Sequence, residues 1–320
     1  MIEATNLTKR YGTKVAVDSV SFQIHPGRVT GFLGPNGAGK STTMRMIMGL
    51  DRPTGGHVTV NGRDYTSLRA PLREVGALLE AKAVHTGRSA RNHLRALAAT
   101  EGISDKRVTE VIEMTGLTSV ADKRVGGFSL GMGQRLGIAA AMLGDPKTLI
   151  LDEPVNGLDP EGVKWVRTMV RYLADQGRTV FLSSHLMSEM AVTADELVVI
   201  GRGRIITAGP VQSVIDAVSG TSVLVRSPRA ADLAALLAGP GISITSSEPG
   251  SLQVRGLEAA QIGDIAADSG LALHELTPQR ASLEDAYMTL TAQDVEYTSG
   301  AAAPDAAGIA DAAASKEYAA

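Results

Sequence analysis

An eight-residue loop constrains this chain more than any other feature of its sequence. Residues 34–41 read Gly-Pro-Asn-Gly-Ala-Gly-Lys-Ser and match the pattern G-x-x-x-x-G-K-[ST]. A short apolar run over 29–33, typical of a buried parallel strand, precedes the loop, and a predicted helix over 41–49 follows it. Glycines let backbone N–H groups converge on phosphate oxygens, and the helix N-terminus adds positive potential. The pattern therefore predicts a nucleotide site, with Lys40 at the β- and γ-phosphates and the Ser41 hydroxyl on Mg²⁺.

The composition excludes several other kinds of site. The 320 residues include no cysteine, which excludes disulfides, iron–sulfur clusters, cysteine-bound zinc and cysteine nucleophiles. The formal net charge is −3 and aromatic residues make up 3%, so we expect neither a nucleic-acid partner nor a platform for stacked bases. The start of the sequence lacks a signal-peptide core, and no long uninterrupted apolar window occurs, so we expect a cytoplasmic chain without a membrane span.

Strand and helix patterns alternate along the first two thirds of the chain. Residues 1–33 are rich in strand patterns and 69–121 are mostly helical. Further strands are predicted over 147–152, 179–183 and 197–200, and further helices over 161–174 and 188–194. This alternation indicates βαβ units and a parallel sheet.

The last third has a different organisation. Its order is βαββαβ, which fits a small ferredoxin-like domain. The strands are predicted over 222–226, 243–245, 252–255 and 272–276, and the helices over 230–237 and 259–267. Residues 282–287 favour a packing helix. The alanine-rich stretch over 299–320 is interrupted by Pro304 and Gly308, so we predict a disordered tail.

A second motif supplies carboxylates. Four mainly apolar residues over 148–151 end in Asp152 and Glu153. A buried strand presents such residues at the crevice where α/β proteins bind ligands. Asp152 can hold Mg²⁺, and Glu153 can act as general base toward the attacking water. His185 follows the next strand and is well placed to contact the γ-phosphate or that water.

These motifs, in this order and spacing, resemble the ATP-binding cassette (ABC) family. The resemblance includes Gly157-Leu158-Asp159 and covers about residues 1–215. Residues 128–135, Phe-Ser-Leu-Gly-Met-Gly-Gln-Arg, look like the family's L-S-G-G-Q signature. They depart from it at Phe128, Leu130 and Met132, whereas Ser129 and Gly131 are kept.

The resemblance implies an α/β fold of the P-loop NTPase ABC cassette type. Such a cassette has a parallel-sheet core, an antiparallel β subdomain and a helical signature subdomain. We expect it over 1–217, followed by the small α+β ferredoxin-like domain over 221–291 and the tail over 299–320. The implied cofactors are ATP and Mg²⁺, with Glu153 and His185 catalytic and with Ser41, Glu80 and Asp152 at the metal. The nucleotide-binding residues are then Tyr11, which stacks on adenine, and Gly34, Pro35, Asn36, Gly37, Ala38, Gly39, Lys40, Ser41, Thr42, Ser129 and Gly131.

Glu80 is a departure from the family, which usually has Gln at this place. The glutamate could still bind Mg²⁺ and contact a membrane partner, but it adds negative charge beside the phosphates and puts the hydrolysis rate in question. Together with the segment 129–132, residues 76–80 resemble exporter ATPases related to bacitracin and daunorubicin resistance.

The partners follow from the same resemblance. In this family two cassettes face each other head to tail, and this chain has one phosphate loop and one signature. We therefore expect a homodimer, or a heterodimer with a similar chain, at the inner face of the cell membrane. The implied function is ATP hydrolysis that powers export of a drug, antibiotic or lipid-like cargo through a separately encoded transmembrane permease.

Two alternatives stay open at this stage. The first is a soluble ABC ATPase that acts on ribosomes or DNA; the single phosphate loop, the net charge and the lack of sustained heptads between Ser41 and Ser129 disfavour it. The second is a regulatory module that only senses ATP, which Glu80 and the altered signature support. A GTPase is disfavoured because the sequence has no N-K-x-D motif.

Overall fold

The computed structural model describes residues 1–80, 84–218, 222–246, 248–279 and 282–291. The tail predicted over 299–320 lies outside these ranges. Within them, none of the helices is both long and apolar enough to cross a membrane.

A six-stranded sheet forms the centre of the fold, and five of its strands are parallel. In spatial order they are β5 (Val75–Leu78), β6 (Thr148–Leu151), β7 (Thr179–Ser183), β3 (Arg28–Leu33), β8 (Glu196–Gly201) and, antiparallel at the edge, β9 (Arg204–Pro210). Strands β6 and β7 are buried along their whole length, as expected for strands covered on both faces. The predicted parallel sheet is confirmed, with small shifts at the strand ends.

A three-stranded antiparallel sheet packs beside this one. Its order is β2 (Lys14–Ile24), β1 (Ile2–Tyr11), β4 (Gly55–Val60). Three phenylalanine rings join the two sheets: Phe32 lies 5.1 Å from Phe181 and 6.1 Å from Phe22 between ring centroids. This aromatic contact fixes β3, whose carboxyl end begins the glycine-rich loop.

Helices cover the central sheet, and several begin at a side-chain cap. They are α1 (Lys40–Ile47), α2 (Pro71–Glu74), α3 (Ala90–Ala99), α4 (Asp105–Met114), α5 (Leu130–Met142), α6 (Pro160–Asp175), α7 (Met187–Thr193) and α8 (Val211–Val218). Short 3₁₀ turns lie at Tyr65–Ser67, Thr118–Val120 and Val125–Gly127. Ser129 caps α5 and Asp159 caps α6, each by accepting a backbone N–H.

The strands and helices after α8 form a unit with its own apolar core, which we call the accessory unit (residues 222–279). Its elements are β10 (Ser222–Arg226), α9 (Ala230–Leu237), β11 (Ser243–Thr245), β12 (Ser251–Arg255), α10 (Ala259–Asp268) and β13 (Glu275–Gln279). The sheet is antiparallel in the order β11-β12-β10-β13. The predicted order βαββαβ is confirmed.

One strand of the accessory unit differs from its prediction. The expected strand over 272–276 lies at Glu275–Gln279 instead. The apolar Leu271 and Leu273 pack in the core just before the strand, whereas the residues that pair with β10 are mostly polar. Pro278 fits there because β13 is an edge strand, where a missing N–H costs little. The apolar residues that predicted a strand belong to the core contact just before it, and the segment that pairs with β10 follows them.

The last described helix, α11 (Leu283–Thr291), returns to the larger part of the molecule and contacts α7 and α8. Leu283 is 2% exposed and joins the core that contains Met190, Ala194 and Val214. Tyr287 packs against the same core, and burial raises the pKa of its hydroxyl to about 12. The predicted packing helix is therefore confirmed.

Candidate functional site

The glycine-rich loop of residues 34–41, the phosphate loop, turns tightly between β3 and α1. A Cβ atom at Gly34 would lie 2.4 Å from the carbonyl oxygen of Ile200. Gly39 has a φ of +108°, and a Cβ there would lie 2.7 Å from the carbonyl oxygen of Ala16. Only glycine fits these positions without a clash. The loop therefore needs its glycines to turn into α1, and the N-terminus of a helix favours an anionic ligand.

Lys40 is 8% exposed, and its ammonium group folds back on the phosphate loop. The Nζ atom donates to the carbonyl oxygens of Gly34 at 2.6 Å and of Pro35 at 3.2 Å. Burial lowers the pKa of Lys40, and the charges of Glu153 and Asp152 oppose that shift. A buried cation bonded to neutral carbonyls fits an anionic ligand, since phosphate oxygens would offer it stronger acceptors.

Three oxygen-bearing side chains meet beside the loop. Ser41 donates its hydroxyl hydrogen to Asp152 Oδ2 at 2.7 Å, and Ser183 donates to Asp152 Oδ1 at 2.5 Å. The strands β6 and β7 are parallel neighbours, so their carboxyl ends bring Asp152 and Ser183 together. A hydroxyl and a carboxylate in contact are the hard oxygen ligands that Mg²⁺ prefers. Among the described residues, no group of three or more His, Asp or Glu side chains is placed to bind a metal.

Glu153 is the second residue of the turn that follows β6, which we call the acidic turn (residues 152–158). Its Oε2 atom lies 2.7 Å from Nδ1 of His185, so the two predicted catalytic residues are in direct contact. Its backbone has a φ of +49°, in the left-handed region that glycine favours. Its N–H donates to Ser183 Oγ at 2.9 Å, and its carbonyl oxygen accepts a bond from Gln134 Nε2 at 2.9 Å.

Tyr11 lies near the start of α1, beside Thr42. Its hydroxyl donates to Asp51 Oδ2 at 2.9 Å, close to the side chain of Thr42. Arg45 donates to the same carboxylate at 2.8 Å and holds the pKa of Asp51 below its ordinary value. The Tyr11 ring is half exposed, with Lys9 Nζ 5.0 Å from its centroid. The ring is anchored at its hydroxyl and offers a face for stacking.

The remaining predicted residues lie around this cluster. Glu80 is exposed after β5, and its charge, after that of Asp51, contributes to the raised pKa of Arg45. Ser129 caps α5 by accepting the N–H of Met132 at 3.2 Å. A Cβ on Gly131 would lie 3.0 Å from the Gly157 carbonyl oxygen, which places the start of α5 against the acidic turn of the same chain.

Two residues of the cluster escaped the sequence analysis, Gln134 and Ser183. Ser183 left a weak signal, because it is a polar residue that ends the apolar run over 180–182, beside the strand that precedes Asp152. For Gln134 the sequence offered no signal beyond its place beside the signature, because its hydrogen-bond partner is a backbone carbonyl 19 positions away.

Comparison with known proteins decides the family. The protein-family model described as "ABC transporter" matches residues 17–156 of this chain. The bacitracin transport ATP-binding protein BcrA of Bacillus licheniformis is 42% identical over 213 residues, which are 66% of this chain and 70% of that protein. The chain belongs to the ABC transporter family. It is an ATPase subunit, and ABC ATP-binding subunits dimerise and work with transmembrane subunits.

Two further comparisons show how far the likeness extends. The Nod factor export ATP-binding protein I of Rhizobium sp. (strain N33) is 31% identical over 310 residues, 92% of this ABC chain and 98% of that one. A solved ATP-binding subunit of an ABC transporter is 26% identical, with a TM-score of 0.63 over 68% of this chain and 92% of its own. Residues 221–284 match a domain of unknown function, DUF8746. The similarity therefore extends beyond the ATP-binding part.

Proposed function

We propose that this ABC ATPase powers export, and that its cargo is a drug, an antibiotic or a lipid-like molecule. The observation that carries the proposal is the continuous set of contacts from Ser41 through Asp152 and Ser183 to Glu153 and His185, next to the buried ammonium of Lys40. The names of two relatives support the direction and the cargo, since one is a bacitracin transport protein and the other a Nod factor export protein.

Each residue of this set has a separate role in ATP hydrolysis. Lys40 and the N–H groups of the phosphate loop bind the β- and γ-phosphates of ATP. Ser41 and Asp152 would hold Mg²⁺, which when bound would neutralise charge on the phosphate oxygens. Glu153 takes a proton from the attacking water, and His185, 2.7 Å from its carboxylate, orients the base and the γ-phosphate.

The rest of the predicted site completes the nucleotide pocket. Tyr11 stacks on the adenine ring, and Thr42 extends the loop contacts. Ser129 and Gly131 act across the interface, at the ATP held by a second copy of this chain, because the N-terminus of α5 favours an anion. Glu80 would offer a further oxygen to the metal and a contact to the membrane partner.

The domain organisation belongs to the same proposal. The proposed domains are an ATP-binding domain over 1–217 and a ferredoxin-like accessory domain over 221–291, of which the last helix, α11, packs back on α7 and α8 of the first. The strand order β11-β12-β10-β13 with two helices supports the second assignment. A separately encoded transmembrane permease binds the ATP-binding domain at the inner face of the cell membrane.

Replacement of the base tests the mechanism. In Glu153→Gln we expect ATP binding without turnover, so the protein runs as a dimer in gel filtration with ATP and Mg²⁺. In Lys40→Ala we expect ATP binding to be lost in a titration. Glu161→Gln makes the same chemical change as the first variant, on an exposed residue of α6, and should keep full activity. Normal hydrolysis by a monomeric Glu153→Gln protein, or unchanged ATP binding by Lys40→Ala, contradicts the assignments.

A further inference from the structure

The backbone at Glu153 adopts a conformation that its side chain disfavours. Its φ is +49°, where the Cβ of an L-residue crowds the following carbonyl. Such a residue persists only when its surroundings hold it, and such residues cluster at functional sites. The surroundings of Glu153 therefore determine where its carboxylate points.

Two side chains hold the peptide groups on either side of Glu153. Ser183 accepts its N–H at 2.9 Å, and Gln134 donates from Nε2 to its carbonyl oxygen at 2.9 Å. Gln134 is 4% exposed, in the second turn of α5. A buried amide without a partner destabilises a fold, so this hydrogen bond accounts for a polar side chain at that depth.

The same helix also contacts the far end of the acidic turn. A Cβ on Gly157 would lie 2.3 Å from Leu130 Cδ2, and Gly131 packs on the Gly157 carbonyl. The first turns of α5 therefore contact the acidic turn at both Glu153 and Gly157. Since α5 is a continuous helix, Gln134 cannot move independently of Ser129 and Gly131 at its start.

We propose that Gln134 is a positioning residue for ATP hydrolysis: it fixes the left-handed peptide of Glu153 and so aims the carboxylate at His185 and the attacking water. It also links the base mechanically to the signature at the start of the same helix. This inference rests on the proposed role of Glu153 as general base. Gln134 is buried and its amide donates to the Glu153 carbonyl oxygen, so we expect it to act on the rate of the chemical step and not on ATP affinity.

Two substitutions test this role in the full-length protein. Gln134→Met keeps the length of the side chain but removes the donor, and we expect kcat to fall tenfold or more while the KM and Kd for ATP stay within twofold. Gln134→Glu keeps the shape but only accepts hydrogen bonds when ionised. Since a protonated carboxyl can donate to the Glu153 carbonyl, we expect its kcat, relative to the parent protein, to recover as the pH is lowered.

Ile138→Val is the matched control. Ile138 is fully buried one turn further along α5, and its apolar side chain has no group that could hydrogen-bond to the acidic turn. We expect this variant to lower the melting temperature without lowering kcat, which separates loss of packing from loss of positioning.

The outcomes distinguish this inference from the proposed function. Parental kcat in both Gln134 variants, beside an inactive Glu153→Gln protein, overturns the positioning role alone. A joint loss of kcat and ATP binding, with no pH-dependent recovery in Gln134→Glu, also overturns it, because that pattern is the signature of general unfolding. Full activity in Glu153→Gln overturns the base assignment itself.

Discussion

The fit between Gly157 and Leu130 gives a prediction whose size can be worked out from the structure. Gly157 has a φ of +74°, and a Cβ there would lie 2.3 Å from Leu130 Cδ2, 2.5 Å from Cγ and 3.2 Å from Cβ. The left-handed backbone costs a residue with a Cβ about 1–2 kcal/mol. The contact with the leucine branch adds about 1–3 kcal/mol of overpacking. We therefore expect Gly157→Ala to lower the free energy of unfolding by about 2–5 kcal/mol.

A second substitution separates the two contributions. Leu130→Ala removes Cγ and both Cδ atoms, so only the contact with Cβ at 3.2 Å remains. Leu130 is 48% exposed, so this change alone should cost about 1 kcal/mol or less. In its presence Gly157→Ala should cost only the backbone term of about 1–2 kcal/mol. The coupling energy of the cycle is then about 1–3 kcal/mol.

Guanidinium unfolding followed by tryptophan fluorescence measures this cycle. The chain has one tryptophan, and Trp165 stands on α6 just after the acidic turn, with the Arg135 guanidinium 5.1 Å from its ring. Its emission therefore reports on the region that the substitutions perturb. If Gly157→Ala costs the same with Leu130 present and absent, the leucine does not limit the space at this glycine and the steric argument is refuted.

Three further predictions concern a buried hydroxyl, a buried phenol and the metal site. Thr30 is 1% exposed and, among the described residues, its Oγ1 has no hydrogen-bond partner. Thr30→Val should therefore raise the free energy of unfolding by about 1 kcal/mol in a denaturant titration. The control is Thr148→Val, which loses a hydrogen-bonded hydroxyl and should lower the free energy of unfolding by a similar amount. Burial raises the pKa of Tyr287 from 10.0 to about 12, so the folded state holds this proton more tightly than the unfolded chain. Stability should then fall as the pH rises from 10 to 12, and Tyr287→Phe should flatten that part of the pH–stability curve. Ser41→Ala should raise the Mg²⁺ concentration needed for half-maximal hydrolysis, in a titration at saturating ATP, because Asp152 loses the hydroxyl beside it; an unchanged requirement would place the metal elsewhere.

Much of the fold was predictable because its elements leave local marks in the sequence. The apolar run before Gly34 and the glycines of the phosphate loop predicted β3, the turn and α1 together. Asp152 and His185 follow buried strands, and strands that are parallel neighbours deliver the residues after them to one edge of the sheet. Proximity of Glu153 and His185 could therefore be expected from topology alone.

The rest depends on contacts that have no spacing rule. The bonds from Gln134 and Ser183 to the peptide of Glu153 join a side chain to a distant backbone group, so no pattern of residue types announces them. The left-handed backbone of Glu153 was equally hidden, because glutamate does not mark a turn of that kind. The strand β13 was predicted too early for a different reason. The apolar residues just before it, which pack in the core, gave a stronger strand pattern than the polar residues that pair with β10.

The contact between α8 and α11 shows how the accessory unit is connected to the larger part of the molecule. The chain leaves the larger part of the molecule after α8 and re-enters it at α11, and these two helices touch each other. The accessory unit is therefore an insertion between two neighbouring helices, not an appendage on a single tether. Excising the accessory unit and joining α8 to α11 by a short loop should keep Leu283 in the core that contains Met190 and Ala194, whereas truncation after α8 should expose the residues of α7 and α8 that α11 covers.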